Sequence, residues 1–166
     1  MLQISQVSSE AEINTVRVLL REYHAQLGVD LCFQGFESEL AALPGVYAPP
    51  AGRLLLAMRD GVAAGCIALR PAAAERGEMK RLYVREVARG LGLGQALLDR
   101  ILAEARIAGY RGLVLDTLPS MVTAQQLYLR AGFTDIAPYT TNPVPGARFL
   151  GLDFDVADAR RDEGIP

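Results

Sequence analysis

A cluster of alternating glycines between a predicted strand and a predicted helix constrains this chain more than any other feature. The segment reads Val87-Ala88-Arg89-Gly90-Leu91-Gly92-Leu93-Gly94-Gln95. Closely spaced glycines allow sharp turns and let backbone N–H groups approach a ligand. The first N–H groups of a helix lack an internal partner, and the helix dipole makes that end positive. The segment is therefore predicted to bind phosphate groups, with Arg89 adding a positive charge.

Three phosphate-binding patterns compete for this segment. The dinucleotide pattern Gly-x-Gly-x-x-Gly/Ala fails from both starts, because Gln95 or Leu97 occupies its last position. The P-loop needs Gly-Lys-Ser/Thr, which is absent from the sequence. The pattern Arg/Gln-x-x-Gly-x-Gly/Ala is satisfied by Arg89, Gly92 and Gly94. A plain flexible turn explains three glycines poorly, since each costs a helix start about 0.5–1 kcal/mol relative to alanine.

The N-terminal half of the sequence predicts a strand, two helices and three more strands. Ser9 and Glu12 form a capping-box pattern, and Gly28 ends the helical apolar period that follows it. Asp60-Gly61 separates two apolar runs, which is a hairpin signal. The predicted elements are strand 2–7, helices 9–27 and 36–43, and strands 53–59, 62–70 and 78–84.

The C-terminal half predicts helix 92–109, strand 113–116, helix 120–131 and strands 133–136 and 148–154. The order is therefore β-α-α-β-β-β-α-β-α-β-β, with antiparallel hairpins first and a βαβ-like crossover after them. This order predicts an α/β chain with one mixed sheet and helices on both faces. We expect one domain over residues 1–154, followed by a charged tail over residues 155–166.

Composition excludes several classes of protein. The chain has 166 residues and a formal net charge of -2, which fits one domain and argues against a nucleic-acid partner. The N-terminus lacks a signal-peptide pattern and no stretch has the length of a membrane helix, so we expect a cytoplasmic protein. Cys32 and Cys66 cannot form a disulfide framework, and no residue cluster has metal-ligand spacing.

Two more segments accompany the glycine loop from Arg89 to Gly94. Glu78-Met79-Lys80-Arg81-Leu82-Tyr83-Val84 precedes it, and Ala124-Gln125-Gln126-Leu127-Tyr128-Leu129-Arg130-Ala131-Gly132-Phe133 follows it. Together the three segments resemble the GNAT (Gcn5-related N-acetyltransferase) superfamily. The loop is similar to its motif A, which binds the pyrophosphate of coenzyme A, the preceding segment resembles its fourth strand, and the later segment resembles its motif B. The resemblance spans residues 2 to about 154 and implies a GNAT-like fold, whose fourth and fifth strands splay apart.

The resemblance also implies a co-substrate, acetyl-CoA, and the residues that hold it. The pantetheine arm would bond to the backbone of the fourth strand as an added strand, and the pyrophosphate would bind the loop. Many relatives carry Asn where this chain has Met121, and Ser120 or Thr123 are candidates to replace it. The implied coenzyme A contacts are Leu82, Tyr83, Val84, Arg89, Gly90, Leu91, Gly92, Leu93, Gly94 and Gln95.

The chemistry of amine acetylation calls for a base and an acid. An alkyl amine has a pKa near 10.4, so deprotonating it at pH 7 costs about 4–5 kcal/mol. Glu78 is the candidate base, because some relatives place a catalytic glutamate at the start of this strand. A solvated carboxylate at the strand edge is the alternative. Tyr128, the motif B tyrosine, is the candidate acid for the leaving thiolate, and a core tyrosine is its alternative.

The acceptor is expected between the segment joining the first two helices and the loop 139–147. His24, Asp30 and Phe33 are the candidates on the first side, although a lone histidine at a helix end is commonly a dipole partner. Tyr139 and Asn142 are the candidates on the second side, in a segment rich in turn residues.

The resemblance does not name the acceptor. A small molecule or a peptide amine fits, and monomer and homodimer are both left open. Two other functions also remain open, namely transfer of a longer acyl group from acyl-CoA and a regulatory module that binds acyl-CoA without turnover. No membrane or metal is expected.

Overall fold

Helices and strands follow the predicted order in the computed structural model, which describes residues 1–30 and 35–155. The strands are β1 (Leu2–Gln6), β2 (Arg53–Arg59), β3 (Val62–Pro71), β4 (Arg76–Val84), β5 (Gly112–Thr117), β6 (Thr134–Asp135) and β7 (Arg148–Asp153). The helices are α1 (Glu10–Leu27), α2 (Phe36–Ala42), α3 (Leu93–Ile107) and α4 (Val122–Arg130), with 3-10 turns at Gly45–Tyr47 and Glu86–Ala88.

One mixed sheet joins the strands in the order β1-β2-β3-β4-β5-β7-β6. β4 and β5 run parallel, and every other neighbouring pair in the described part of the chain is antiparallel. The parallel pair follows from the crossover through α3, since parallel neighbours need a long connection. The prediction of a mixed, largely antiparallel sheet is confirmed.

Helices cover both faces of the sheet, because the central strands are apolar on both sides. Leu55 and Ala57 of β2 pack with α3 and α4, whereas Leu54 and Leu56 pack with α1 and α2. Successive side chains of a strand point to opposite faces, so one apolar run serves two cores. Cys66 of β3 lies in the second core as a free, fully buried thiol, and burial raises its pKa to about 12.

Local sequence signals fix the two ends of the first helix and the turn of the first hairpin. The Ser9 hydroxyl accepts from the Glu12 N–H at 3.2 Å, and the Glu12 carboxylate accepts from the Ser9 N–H at 3.1 Å. Gly28 ends α1 in the left-handed conformation. Asp60 and Gly61 have φ angles of 50° and 80°, as a two-residue type I′ hairpin requires. Both predictions are confirmed.

Most element boundaries differ from the prediction by one or two residues, including those of β4, α4 and β6. β4 begins at Arg76, so Glu78 lies inside the strand rather than at its start. The apolar pattern does not reveal this start of the strand, because Gly77 has no apolar side chain. A Cβ at Gly77 would stand 2.6 Å from the Leu69 side chain, so the close packing there favours glycine. α4 begins at Val122 rather than at residue 120, and β6 shortens to Thr134–Asp135.

Candidate active site

β4 and β5 separate soon after they begin. They pair at three positions, the last of which sets Glu78 opposite Val114. Arg81 has a φ of 62° and lies where β4 carries one residue more than β3, which makes a bulge that bends the strand. The predicted splay of the fourth and fifth strands is confirmed. The edge of β4 from Leu82 to Val84 consequently has no β5 partner.

The glycine loop leads from β4 into α3 with its N–H groups uncommitted. Gly90 and Gly92 have φ angles of 75° and 78°, which side chains rarely adopt. No residue within the described ranges accepts a hydrogen bond from the N–H groups of residues 90–92, which precede the helix. The N–H groups of residues 93–95 have no carbonyl four positions back inside the helix. Six consecutive donors are thus available at the positive end of a 15-residue helix.

This loop fits a diphosphate sterically as well as electrostatically. A Cβ at Gly90 or Gly92 would find no atom within 4 Å, so the space beside the backbone is open to a ligand. Gly94 has a different role, because a Cβ there would stand 3.1 Å from the Leu127 side chain of α4. It lets α3 and α4 pack closely beside the loop.

Arg89 connects the loop to the opposite face of the sheet. Its Nε donates to the Val84 carbonyl at 3.0 Å, and its Nη2 donates to the Gln26 side chain of α1 at 2.7 Å. The guanidinium therefore supports the end of β4. Leu82, Tyr83 and Val84 are the three residues implied to bind a pantetheine arm through their backbone. The Val84 carbonyl already accepts the hydrogen bond from Arg89.

A small cavity of about 40 Å³, the inter-strand cavity, lies where β4 and β5 part. Tyr128 of α4 lines it, and burial raises the pKa of its hydroxyl well above the usual value. The hydroxyl therefore stays protonated at neutral pH and is available as a donor. The lining residues are Tyr23, Leu27, Met79, Lys80, Arg81, Leu82, Leu115, Asp116, Thr117, Leu118, Met121, Tyr128 and Asn142.

A larger, open cleft of about 480 Å³, the Glu78 cleft, lies at the beginning of the same two strands. Glu78 is 3% exposed, and its carboxylate accepts from Arg70 Nε and from the Tyr139 hydroxyl, both at 2.6 Å. Burial and the Glu78 carboxylate raise the pKa of Tyr139. The cleft is lined by Val46, Arg70, Pro71, Ala72, Ala73, Glu78, Val114, Tyr139 and Thr140.

The structure brings some of the candidate acceptor residues to these cavities and not others. Tyr139 contacts Glu78, and Asn142 donates to the Asp116 carboxylate at 3.0 Å inside the inter-strand cavity. The His24 ring packs 4.9 Å from the Phe36 ring, and neither His24 nor Asp30 lines either cavity. Phe33 and Cys32 lie outside the described residues.

Sequence reasoning missed Arg70, Lys80 and Asp116. Strand alternation carried the signal for Lys80 and Asp116, because Lys80 shares a face with Glu78, as Asp116 does with Val114. The pairing of Arg70 with Glu78 needed the register between β3 and β4, which the sequence does not display.

The described residues contain neither a candidate metal site nor a candidate membrane span. No group of three or more His, Cys, Asp or Glu side chains in ranges 1–30 and 35–155 could hold a metal ion. Within the same ranges, no helix has the length and apolar character needed to cross a bilayer.

Known proteins with similar sequences or folds are acetyltransferases. A family model described as acetyltransferase (GNAT) family matches residues 17–133. An uncharacterised N-acetyltransferase of Schizosaccharomyces pombe is 38% identical over 155 residues, which cover 92% of this chain and 95% of the relative. The crystal structure of a GNAT-family acetyltransferase from Staphylococcus aureus matches with a TM-score of 0.77 at 19% identity, over 92% of this chain and 99% of that chain.

A Bacillus anthracis acetyltransferase, solved in complex with acetyl coenzyme A, matches with a TM-score of 0.58 at 23% identity over 66% of each chain. The splayed mixed sheet, with a glycine loop at a helix start, is the fold of the GNAT acetyltransferases among these solved structures. The chain belongs to the GNAT family of acetyltransferases. This family uses acetyl-CoA as its acetyl donor.

Proposed function

We propose that this protein transfers the acetyl group of acetyl-CoA to a primary amine by direct attack of the amine. One observation carries the proposal. The free N–H groups of residues 90–95 open the helix that follows β4, and the strand opening beside β4 holds a buried, protonated Tyr128. Phosphate binding and thiolate protonation are thus provided at the two ends of one strand edge.

The chain's residues have distinct tasks in this proposal. The loop from Gly90 to Gln95 binds the pyrophosphate through N–H groups, and acetyl-CoA when bound supplies the activated acetyl group. The free edge of β4 from Leu82 to Val84 orients the pantetheine arm. Holding amine and thioester together makes a covalent acyl-enzyme unnecessary.

Glu78 is proposed to take up the proton of the amine. Arg70 and Tyr139 each donate to this carboxylate, but a carboxylate has about four acceptor positions, so further capacity remains. The ion pair with Arg70 and the hydrogen bond from Tyr139 hold this carboxylate in one orientation at the cleft. Tyr128 is proposed to donate to the leaving sulfur, because burial keeps its hydroxyl protonated.

The size of the inter-strand cavity supports an acetyl group over a longer acyl chain. A volume of about 40 Å³ suits a short acyl group better than a long one. The presence of both an acid and a base candidate beside the opening supports turnover over a purely regulatory role.

The test is a turnover screen with purified protein and acetyl-CoA, in which release of coenzyme A is followed for panels of amines, amino acids and peptides. We expect release that depends on the acceptor and an acetylated product of matching mass. Binding of acetyl-CoA without release of coenzyme A for any acceptor would mean that the protein is a binding module without turnover. Faster release of coenzyme A from butyryl-CoA than from acetyl-CoA would mean that a longer acyl-CoA is the donor.

A further inference from the structure

Lys80 is an uncommitted cation inside the site. It is the only lysine of the chain, and arginine occupies the other 16 of the 17 Lys and Arg positions. Its side chain lines the inter-strand cavity and is 9% exposed. It makes no hydrogen bond or ion pair with any residue in ranges 1–30 and 35–155. A largely enclosed ammonium without a protein partner forms a strong charge-assisted hydrogen bond with an anionic ligand.

Asp116 is the matching anion on the other side of the opening. The last paired position of the two strands sets Glu78 opposite Val114. Lys80 and Asp116 lie two residues further along β4 and β5, on the same face, where the strands have already separated. Asp116 accepts from the Asn142 amide at 3.0 Å but forms no ion pair with a described residue. The splay therefore holds a cation and an anion apart across one gap.

Three other carboxylates near β4 each form an ion pair with an arginine. Glu78 pairs with Arg70, Glu39 with Arg81 and Glu22 with Arg85, at 2.6, 2.8 and 2.6 Å. Burial lowers the pKa of Lys80, opposed by the nearby Glu78 carboxylate. The arginine pairs are complete without a ligand, whereas Lys80 and Asp116 are not. The two therefore form the charged part of the cavity that a ligand would complete.

We infer that the acceptor is an amino carboxylate, a small molecule with an amine and a carboxylate a few bonds apart, as in a free α-amino acid. Lys80 Nζ donates to the carboxylate, and the Asp116 carboxylate accepts from the amine, which fixes the amine at the strand opening. This inference rests on the proposed acetyl transfer and narrows its acceptor. It also explains why two opposite charges face each other without touching.

The Glu78 cleft supplies room for the remainder of such an acceptor. It lies on the same face of β4 and β5, one alternation before Lys80 and Asp116, and Val46, Pro71 and Val114 give it apolar walls. Apolar amino acids are therefore the appropriate probes. L-leucine and L-phenylalanine each have a matched amine without the carboxylate, namely 3-methylbutylamine and 2-phenylethylamine.

The experiment compares kcat/KM for these pairs in the parent protein and in Lys80→Met. We expect the parent to prefer the amino acid of each pair. Loss of one hydrogen bond to a charged group corresponds to about a 10- to 100-fold change. Lys80→Met should lower the ratio of kcat/KM for the amino acid to kcat/KM for the amine by that factor. Lys80→Arg should keep part of the preference for the amino acid. Because each substrate is compared with itself between variants, differences in amine pKa cancel.

Two controls accompany this experiment. Arg59→Met removes a cation from the end of β2, away from both cavities, and should leave the ratio within about twofold of the parent. A melting-temperature series uses the parent protein alone. N-acetyl-L-leucine should raise its melting temperature, whereas N-(3-methylbutyl)acetamide, which lacks the carboxylate, should not. This second readout holds even if Lys80→Met does not fold.

The outcomes separate the inference from the function on which it rests. An equal loss of kcat/KM for the amino acid and the matched amine in Lys80→Met would assign Lys80 to a step common to all amines and would overturn the inference. An unchanged kcat/KM for both substrates would also overturn it. A parent protein that acetylates amines without preferring the amino acid would overturn the inference and leave acetyl transfer intact. Binding of acetyl-CoA with no turnover of any acceptor would overturn both.

Discussion

The glycine loop and the acceptor side of the strand opening are built in different ways. The loop is six consecutive residues, 90–95, whose backbone N–H groups are the proposed binding groups. The acceptor side assembles side chains such as Lys80, Asp116 and Asn142 from separate strands and a loop. A site made of contiguous backbone depends on spacing and is visible as a motif. A site made of side chains from distant segments depends on sheet register and is not.

The largest effect should come from Tyr128, which lies between the two regions. In Tyr128→Phe the ring is kept and the hydroxyl is lost, so kcat should fall about 100- to 1,000-fold, within the range for general acids. Affinity for acetyl-CoA should change little. Single-turnover kinetics and calorimetry measure the two quantities. Tyr110→Phe, which removes a hydroxyl bonded to the Ala51 carbonyl, is the control. An unchanged kcat would assign Tyr128 to packing.

Gly92→Val tests the backbone character of the loop. Gly92 has a φ of 78° with open space around its Cβ position, so a valine side chain would occupy the volume assigned to the pyrophosphate. Loss of two hydrogen bonds to a charged group at about 1.5–3 kcal/mol each predicts a Kd for acetyl-CoA at least about 100-fold weaker. Isothermal titration calorimetry measures it.

Gly109→Val is the matched control for Gly92→Val. Gly109 has a φ of 88° and equally open surroundings, but it lies at the far end of α3. Both variants carry a similar backbone strain of about 1–2 kcal/mol in stability. If both weaken acetyl-CoA binding equally, strain rather than blockage is the cause and the loop is not the phosphate site.

The smallest of these effects should arise on the acceptor side. Asn142→Ala removes the hydrogen bond that holds the Asp116 carboxylate, so KM for the amine should rise about tenfold, the value of one charged hydrogen bond. KM for acetyl-CoA should stay constant. Asn14→Ala on the exposed face of α1 is the control. A rise confined to the acetyl-CoA term would mean that acceptor and cofactor sides are exchanged in our assignment.

Local sequence signals predicted much of the fold because their physics is local. The Ser9–Glu12 capping box and the Asp60-Gly61 turn each involve residues a few positions apart. The start of β4 was misplaced because Gly77 breaks the apolar pattern, although tight packing against Leu69 requires glycine there. Patterns of hydrophobicity do not record close approaches between strands.

Within the candidate site, the division follows the same rule. Glu78 and Tyr128 were selected by resemblance, and the structure adds that Arg70 and Tyr139 occupy part of the Glu78 carboxylate. His24 was selected by its place at a helix end, and the structure packs it against Phe36. A hydrogen bond between residues 61 positions apart has no signature in a single sequence.

The sequence by itself determined the family, the order of elements and the loop that is proposed to bind phosphate. These depend on spacing along the chain, and a glycine that needs a positive φ needs it in any context. Only the tertiary structure decided which charges are paired and which remain open. Lys80 and Asp116 lie across the strand opening, and neither forms an ion pair with a described residue. A bulge at Arg81 lies where the two strands separate, and that separation is a property of the sheet rather than of either strand.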